Sequence, residues 1–262
     1  QHIPSPRNHI RYSLFTALAV VGGIYLYNQK TILRYKWEPN LILGLTFFLF
    51  LFLHFYSVKS GILVLYGSLV FGLLQYIVYR RQLLTGLIGL VVLLSVPLLA
   101  YKTLPTLQRK VDYFYHDMFM YERGKGANLS DSGRLASLDA GWEIAQNNWV
   151  WGVGTANIRA EVDHFFQKKY PDYPEVFMPQ NQFLFSWSAS GILGLLLTIF
   201  AFFYPIFYQG NYQHWFFLNF TFSIFIIIMI EHALENSVGV AHYLFFQLLF
   251  LNVINRSEKS KR

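Results

Sequence analysis

The sequence predicts an all-α fold: a polytopic integral membrane protein with about seven transmembrane helices and one long extracytoplasmic loop. Three observations predict it. Of 262 residues, 54% are hydrophobic, 19% aromatic and only 13% charged, where a soluble domain carries about a quarter charged residues. Seven apolar segments approach or reach the roughly 17–25 residues that a bilayer-spanning helix requires. Aromatic residues gather near many segment ends, as they do at membrane–water interfaces.

The segments are about Tyr12–Tyr27, Leu41–Tyr56, Gly61–Tyr79, Leu83–Tyr101, Phe183–Tyr208, Trp215–Ile230 and Gly239–Ile254. The first, second, sixth and seventh are short for a span. The chain therefore divides into residues 1–101 with four helices, a loop over 102–182, residues 183–254 with three helices, and a basic tail over 255–262. Lys30, Arg34, Lys36, Arg80, Arg81, Arg256, Lys259, Lys261 and Arg262 fall on one side of this topology, which the positive-inside rule makes cytoplasmic. Arg7 and Arg11 then fall outside. The first residue is Gln1 rather than Met, and no charged region precedes a cleavable apolar one, so the chain reads as processed or, in preference, as the C-terminal part of a longer protein.

Within the loop, Asn128–Asp131 is turn-rich and Leu135–Gln146 reads as a short amphipathic helix. Gly152-Val-Gly154 reads as a flexible break, and Pro171, Pro174 and Pro179 keep the following stretch out of regular helix. Two tryptophans in Asn147–Gly152 indicate packing rather than disorder.

Net charge is +7, yet no basic-aromatic nucleic-acid motif accompanies it, and basic loops facing anionic lipid headgroups account for the excess. The chain contains no cysteine, which excludes disulfides, thiolate catalysis and cysteine-ligated metal. No metal-ligand spacing or cofactor motif stands out. Gly152-Val-Gly154 lacks the strand–helix context of a nucleotide loop.

Four small constellations share the predicted outer face: Lys59 between two spans, Arg134 in the loop, Gln180-Asn181-Gln182 at the loop's return, and Glu231, His232 and Glu235 before the last span. Two cations facing one cavity suit a diphosphate, because arginine donates bidentately and lysine acts as a point charge. Lys59 also fits a lipid-facing, snorkelling role, and Arg134 fits a partner for Asp131 or Asp139. Helical spacing would set Glu231 and Glu235 on one face. His116 and His164 are candidate general bases.

Ser132-Gly-Arg-Leu-Ala-Ser-Leu-Asp-Ala-Gly-Trp142 and Asn148-Trp-Val-Trp-Gly-Val-Gly154 resemble the outer loop of the O-antigen ligase/polymerase superfamily. So do Pro179-Gln-Asn-Gln-Phe-Leu184 followed by Gly191-Ile-Leu-Gly-Leu195, Val58-Lys-Ser-Gly-Ile-Leu63, and Glu231-His-Ala-Leu-Glu-Asn-Ser-Val-Gly239. The resemblance runs over roughly residues 40–254. It implies transfer of a glycan from an undecaprenyl-diphosphate carrier to a sugar, lipid A–core or protein acceptor at the periplasmic face of a bacterial inner membrane, with neither metal nor nucleotide sugar. Lys59 and Arg134 would bind diphosphate, Gln180 and Asn181 would orient hydroxyls, and Glu231 would assist. Two departures matter. Lys59 replaces an arginine, and Gln180 replaces the histidine that serves ligases as base. Three alternatives follow: His164, Glu175 or Glu231 acts as base; the chain is a polymerase with different chemistry; or it is an inactive homologue. A transporter or flippase is the rival class.

Overall fold

The computed structural model describes residues 9–28 and 35–259. Arg7, Lys30, Arg34, Lys261 and Arg262, which the topology reading uses, lie outside the described residues, as do the side chains of Arg256 and Lys259. Among the described residues the chain is all-helical. It forms α1 (His9–Asn28), α2 (Glu38–Tyr56), α3 (Lys59–Arg80), α4 (Leu83–Thr103), α5 (Pro105–Glu122), α6 (Ser130–Asn147), α7 (Ile158–Lys169), α8 (Gln182–Phe207), α9 (Trp215–Ile230) and α10 (Ser237–Lys259). Short 3₁₀ turns cover Tyr208–Gln213 and Ala233–Glu235.

Among the described residues, five helical segments are long and apolar enough to cross a bilayer: Ile10–Asn28, Glu38–Tyr56, Lys59–Arg80, Leu83–Thr103 and Gln182–Gln213. The other two expected spans are shorter apolar helices, Trp215–Ile230 and Ser237–Asn252. At 16 residues, α9 reaches about 24 Å, short of a hydrocarbon core of about 30 Å.

The chain folds as two compact units. The first comprises Gln1–Val111 and Gln213–Ile227. Here α1 packs on α2 and α3, and α3 on α4. Small residues permit the close approach, as membrane helices require: Gly61 lies against Ser13, Gly23 against Thr46 and Gly86 against Ile77. Polar groups inside this apolar unit pair with each other. Ser68 Oγ and Ser223 Oγ are 2.7 Å apart, Asn219 Nδ2 donates to Ser68 O at 3.0 Å, and His54 Nε2 lies 2.8 Å from the Tyr66 hydroxyl. Leu84 and Val91 of α4 are 74% and 69% exposed, which suits a lipid-facing helix rather than one in water.

The second unit comprises Asp112–Tyr212 and Ile228–Arg262. Its core joins Ala136, Ala140 and Ile144 of α6 to Val162, Phe165 and Phe166 of α7 and Phe185 and Ala189 of α8. The predicted helix Leu135–Gln146 lies within the longer α6, whereas α5 and α7 extend beyond the sequence reading. The buried set of α7, Ile158, Val162, Phe165 and Phe166, has helical i, i+4, i+7, i+8 spacing. Lys168 and Lys169 then close its C-terminal turn, where the dipole favours cations. Leu129 supplies no side-chain cap to α6, and Asp117 of α5 substitutes: its Oδ2 accepts from Asp131 N at 3.1 Å.

Two readings need correction. The Gly152-Val-Gly154 stretch is not a flexible break. It is docked on α8, with Val153 N donating to Ser188 O at 3.0 Å and Gly154 N to Ala189 O at 2.8 Å. Those carbonyls are available because α8 is itself interrupted at Gly191, whose φ of 66° lies in the left-handed region. In turn, Ile192 N donates to Trp149 O at 2.8 Å. Second, Glu231 and Glu235 do not share a helical face, because Ala233–Glu235 is a 3₁₀ turn.

Candidate active site

In the second unit, α6 provides the floor of the site. Gly133, Ser137 and Gly141 recur every fourth residue and form a shallow groove along one side of the helix. Phe177 covers Gly133, while Pro179 and Leu184 lie against Gly141, so closely that added Cβ atoms there would sit 2.6 and 2.9 Å from their neighbours. Between them Gln180 N donates to Ser137 Oγ at 3.3 Å, and that hydroxyl donates to Arg134 O at 2.7 Å. The loop carrying Gln180 is thereby bound to the helical turn carrying Arg134.

Arg134 is half-buried and has no carboxylate partner among the described residues. Asp139, one acid the sequence offered it, pairs instead with Lys169 at 2.8 Å and accepts from the Tyr170 hydroxyl at 2.7 Å. The bond to Asp139 raises the proton affinity of Lys169 above the ordinary lysine value, partly opposed by desolvation. Burial, followed by its bonds to Tyr121 and Asp139, pushes the Tyr170 phenol up as well.

The return of the loop is held by its amides. Asn181 is the N-cap of α8: its Oδ1 accepts from Leu184 N at 3.0 Å. Its Nδ2 donates to Met229 O at 3.2 Å, two residues before Glu231. Gln180 Nε2 donates to Met178 O at 3.2 Å. Gln182, to which the sequence reading gave no separate role, is 2% exposed. It donates to Glu235 Oε1 at 2.8 Å and accepts from Leu234 N at 2.9 Å. Glu231 is half-buried in the segment that these amides fix, and His232 stacks on Phe185 with ring centroids 5.6 Å apart. His164 and Glu175 are exposed, and neither hydrogen-bonds to Arg134 or Gln180 among the described residues. His116 on α5 is exposed too.

Lys59 belongs to the first unit, where it is half-buried as the first residue of α3. Lys110 of α5, a residue that no motif singles out, reaches the end of α2 in the same unit. Its Nζ donates to Tyr56 O at 3.2 Å. Although the Lys110 stem is exposed, desolvation lowers its proton affinity below the ordinary lysine value, and the ammonium of Lys59 lowers it further. The first unit also holds a cavity of about 840 Å³ lined by Leu69, Leu73, Arg80, Trp215 and Asn219 among others, with none of the predicted site residues. No group of three metal-ligating side chains occurs among the described residues.

The sequence profile of the O-antigen ligase family matches residues 44–199, well over half of the chain. The chain belongs to the O-antigen ligase family. No curated protein matches it in sequence. The match to the O-antigen ligase profile covers Lys59, Arg134, Gln180 and Asn181, and ends before Glu231. Membership gives the chain a ligase or polymerase role in general: a membrane enzyme of glycosyltransferase type that works on lipid-linked glycans. The five long apolar segments agree with a membrane location for this O-antigen ligase relative.

Proposed function

We propose that this protein transfers oligosaccharide from a polyprenyl-diphosphate carrier to a sugar or lipid A–core acceptor at the outer face of a bacterial inner membrane. All seven apolar helices would be embedded and residues 102–182 exposed to the periplasm. The acceptor hydroxyl oxygen attacks the anomeric carbon, the bond from that carbon to the diphosphate oxygen breaks, and polyprenyl diphosphate departs with the electron pair. The acceptor proton passes to a carboxylate.

The half-buried Arg134 without a carboxylate partner carries this reading. A guanidinium held in protein without an acid suits an anion, and its fork matches two phosphate oxygens. Charge that develops on the leaving diphosphate is then stabilised by a group already in place. In this proposal Arg134 binds diphosphate, Gln180 orients a sugar hydroxyl, and Asn181 positions the loop. Glu231 is the base: it is half-buried in the segment tied by Asn181 and Gln182, whereas His164 and Glu175 are exposed without such ties. Gln180 cannot serve, because an amide does not accept a proton near neutrality.

The test uses proteoliposomes supplied with polyprenyl-diphosphate-linked oligosaccharide, with and without lipid A–core, read by mass spectrometry. Longer or ligated glycans with release of carrier diphosphate are expected from the wild type. Arg134→Ala abolishes product while leaving membrane insertion unchanged. Full activity in that variant would end the diphosphate role.

A further inference from the structure

We propose that the strap following α6 lies in the outer headgroup layer of the bilayer, where the indoles of Trp149 and Trp151 anchor it among lipids. The inference rests on the reading of α8 as a membrane span and refines the placement of residues 102–182; it does not depend on the transfer reaction.

Strap and helix both belong to the second unit. Helix α8 has 26 residues and reaches up to about 39 Å, longer than a hydrocarbon core of about 30 Å. Part of it must stand in the headgroup layer, and residue type assigns that part to the first turns. Ser186, Ser188 and Ser190 lie there, whereas the large exposed side chains beyond the break, Leu193, Leu196, Leu197 and Phe200, are apolar. The strap is bonded to α8 at this boundary, through Ser188 O, Ala189 O and Ile192 N. Trp187 Nε1 of α8 also donates to Trp149 O at 3.3 Å. Irregular backbone is tolerated at such a depth where its polar groups are satisfied within the protein, as these bonds achieve.

Trp151 is 81% exposed and Trp149 56%, and neither indole N–H has a partner among the described residues. In water, two such side chains would leave a large apolar area uncovered. At a bilayer surface the ring is buried among acyl chains while the N–H reaches headgroup oxygens. The aromatic patch continues to Trp142 of α6, which is also exposed and meets Trp187 edge to face with ring centroids 5.5 Å apart. Charge decides between lipid and sugar as the occupant. Residues 144–158 are the longest uncharged run of the loop. The strap therefore offers no carboxylate to sugar hydroxyls, and brings no ion into a low-dielectric layer.

The full-length protein is placed in lipid nanodiscs whose acyl chains carry bromine either near the glycerol end or near the methyl end. The signal of Trp151 is the fluorescence difference between wild type and Trp151→Phe, with iodide as the aqueous quencher. Bromine near the glycerol end should quench this difference several-fold more than iodide does. An unchanged thermal midpoint in Trp151→Phe shows that the fold is retained. Leu196→Trp puts a reporter on the exposed side of α8, and bromine in the chains should quench it. Quenching of the Trp151 difference by iodide and by neither bromolipid overturns the inference, and relief of that quenching by added oligosaccharide assigns the indoles to sugar instead. A Leu196→Trp reporter that neither bromolipid quenches removes α8 as a span, and the inference falls with the membrane placement. Lipid quenching of Trp151 without glycan transfer in the same nanodiscs supports this inference and removes the proposed function.

Discussion

Gln182, buried at the start of α8, donates to Glu235 Oε1 at 2.8 Å across 53 residues of chain, and its own Oε1 accepts from Leu234 N at 2.9 Å. One carboxamide therefore satisfies a backbone donor and a carboxylate of the segment that carries Glu231. A hydrogen bond to a charged group contributes about 1.5–3 kcal/mol, and a buried partner left unsatisfied costs a similar amount.

Gln182→Leu should accordingly destabilise the protein by about 2–4 kcal/mol, read as a lowered thermal midpoint in detergent. Glycan transfer should fall with it, since the segment bearing Glu231 loses its anchor. An unchanged midpoint would show that the 3₁₀ turn is held by other contacts.

Gly191→Ala tests the interruption of α8. A Cβ at Gly191 would meet Val150 O at 2.0 Å, and the residue has φ of 66°. Left-handed backbone costs a non-glycine residue about 1–3 kcal/mol before any clash is counted. Folded yield should fall sharply, with faster proteolysis over Trp149–Gly154. Gly22→Ala is the control, since nothing lies within 4 Å of that position, and it should leave yield unchanged.

Lys169→Met probes the link between α6 and α7. The folded-state proton affinity of Lys169 is raised, chiefly by its hydrogen bond to Asp139. A raised value means that the contribution is fully present below the unfolded lysine value of about 10.4 and is lost as pH rises through the folded value. Hydrogen exchange over Ile158–Lys169 should therefore be faster in the variant at pH 7. The difference should shrink only above the lysine range. A difference that disappears near pH 6 would point to another group.

Glu231→Gln should lower kcat by about 10²–10⁴-fold, the usual contribution of a general base, with little change in binding of the carrier. Gln180→His should leave the rate within a few-fold. If Gln180→His instead raises the rate strongly, with a midpoint near an imidazole value, the base is missing from the native site and the inactive-homologue alternative gains.

Sequence and structure divide this protein along a physical line. Residue type alone shows the solvent: Leu41–Tyr56 and Leu83–Tyr101 have too few polar groups to face water, and their backbone can be satisfied in lipid only as helix. Family motifs are equally visible, because Arg134, Gln180-Asn181 and Gly152-Val-Gly154 are local strings. The proline-rich stretch after α7 also remains irregular, as ring geometry demands. Tertiary structure alone decided that Gly152-Val-Gly154 is a docked strap and that α8 breaks to receive it. It also decided that Asp139 is taken by Lys169 rather than Arg134, that Gln182 anchors Glu235, and that Lys110 caps the Tyr56 carbonyl. Each of these depends on which distant groups packing brings within about 3 Å of each other. Hydrogen-bonding capacity is written in the residue type, but the identity of the partner is set only when the helices pack.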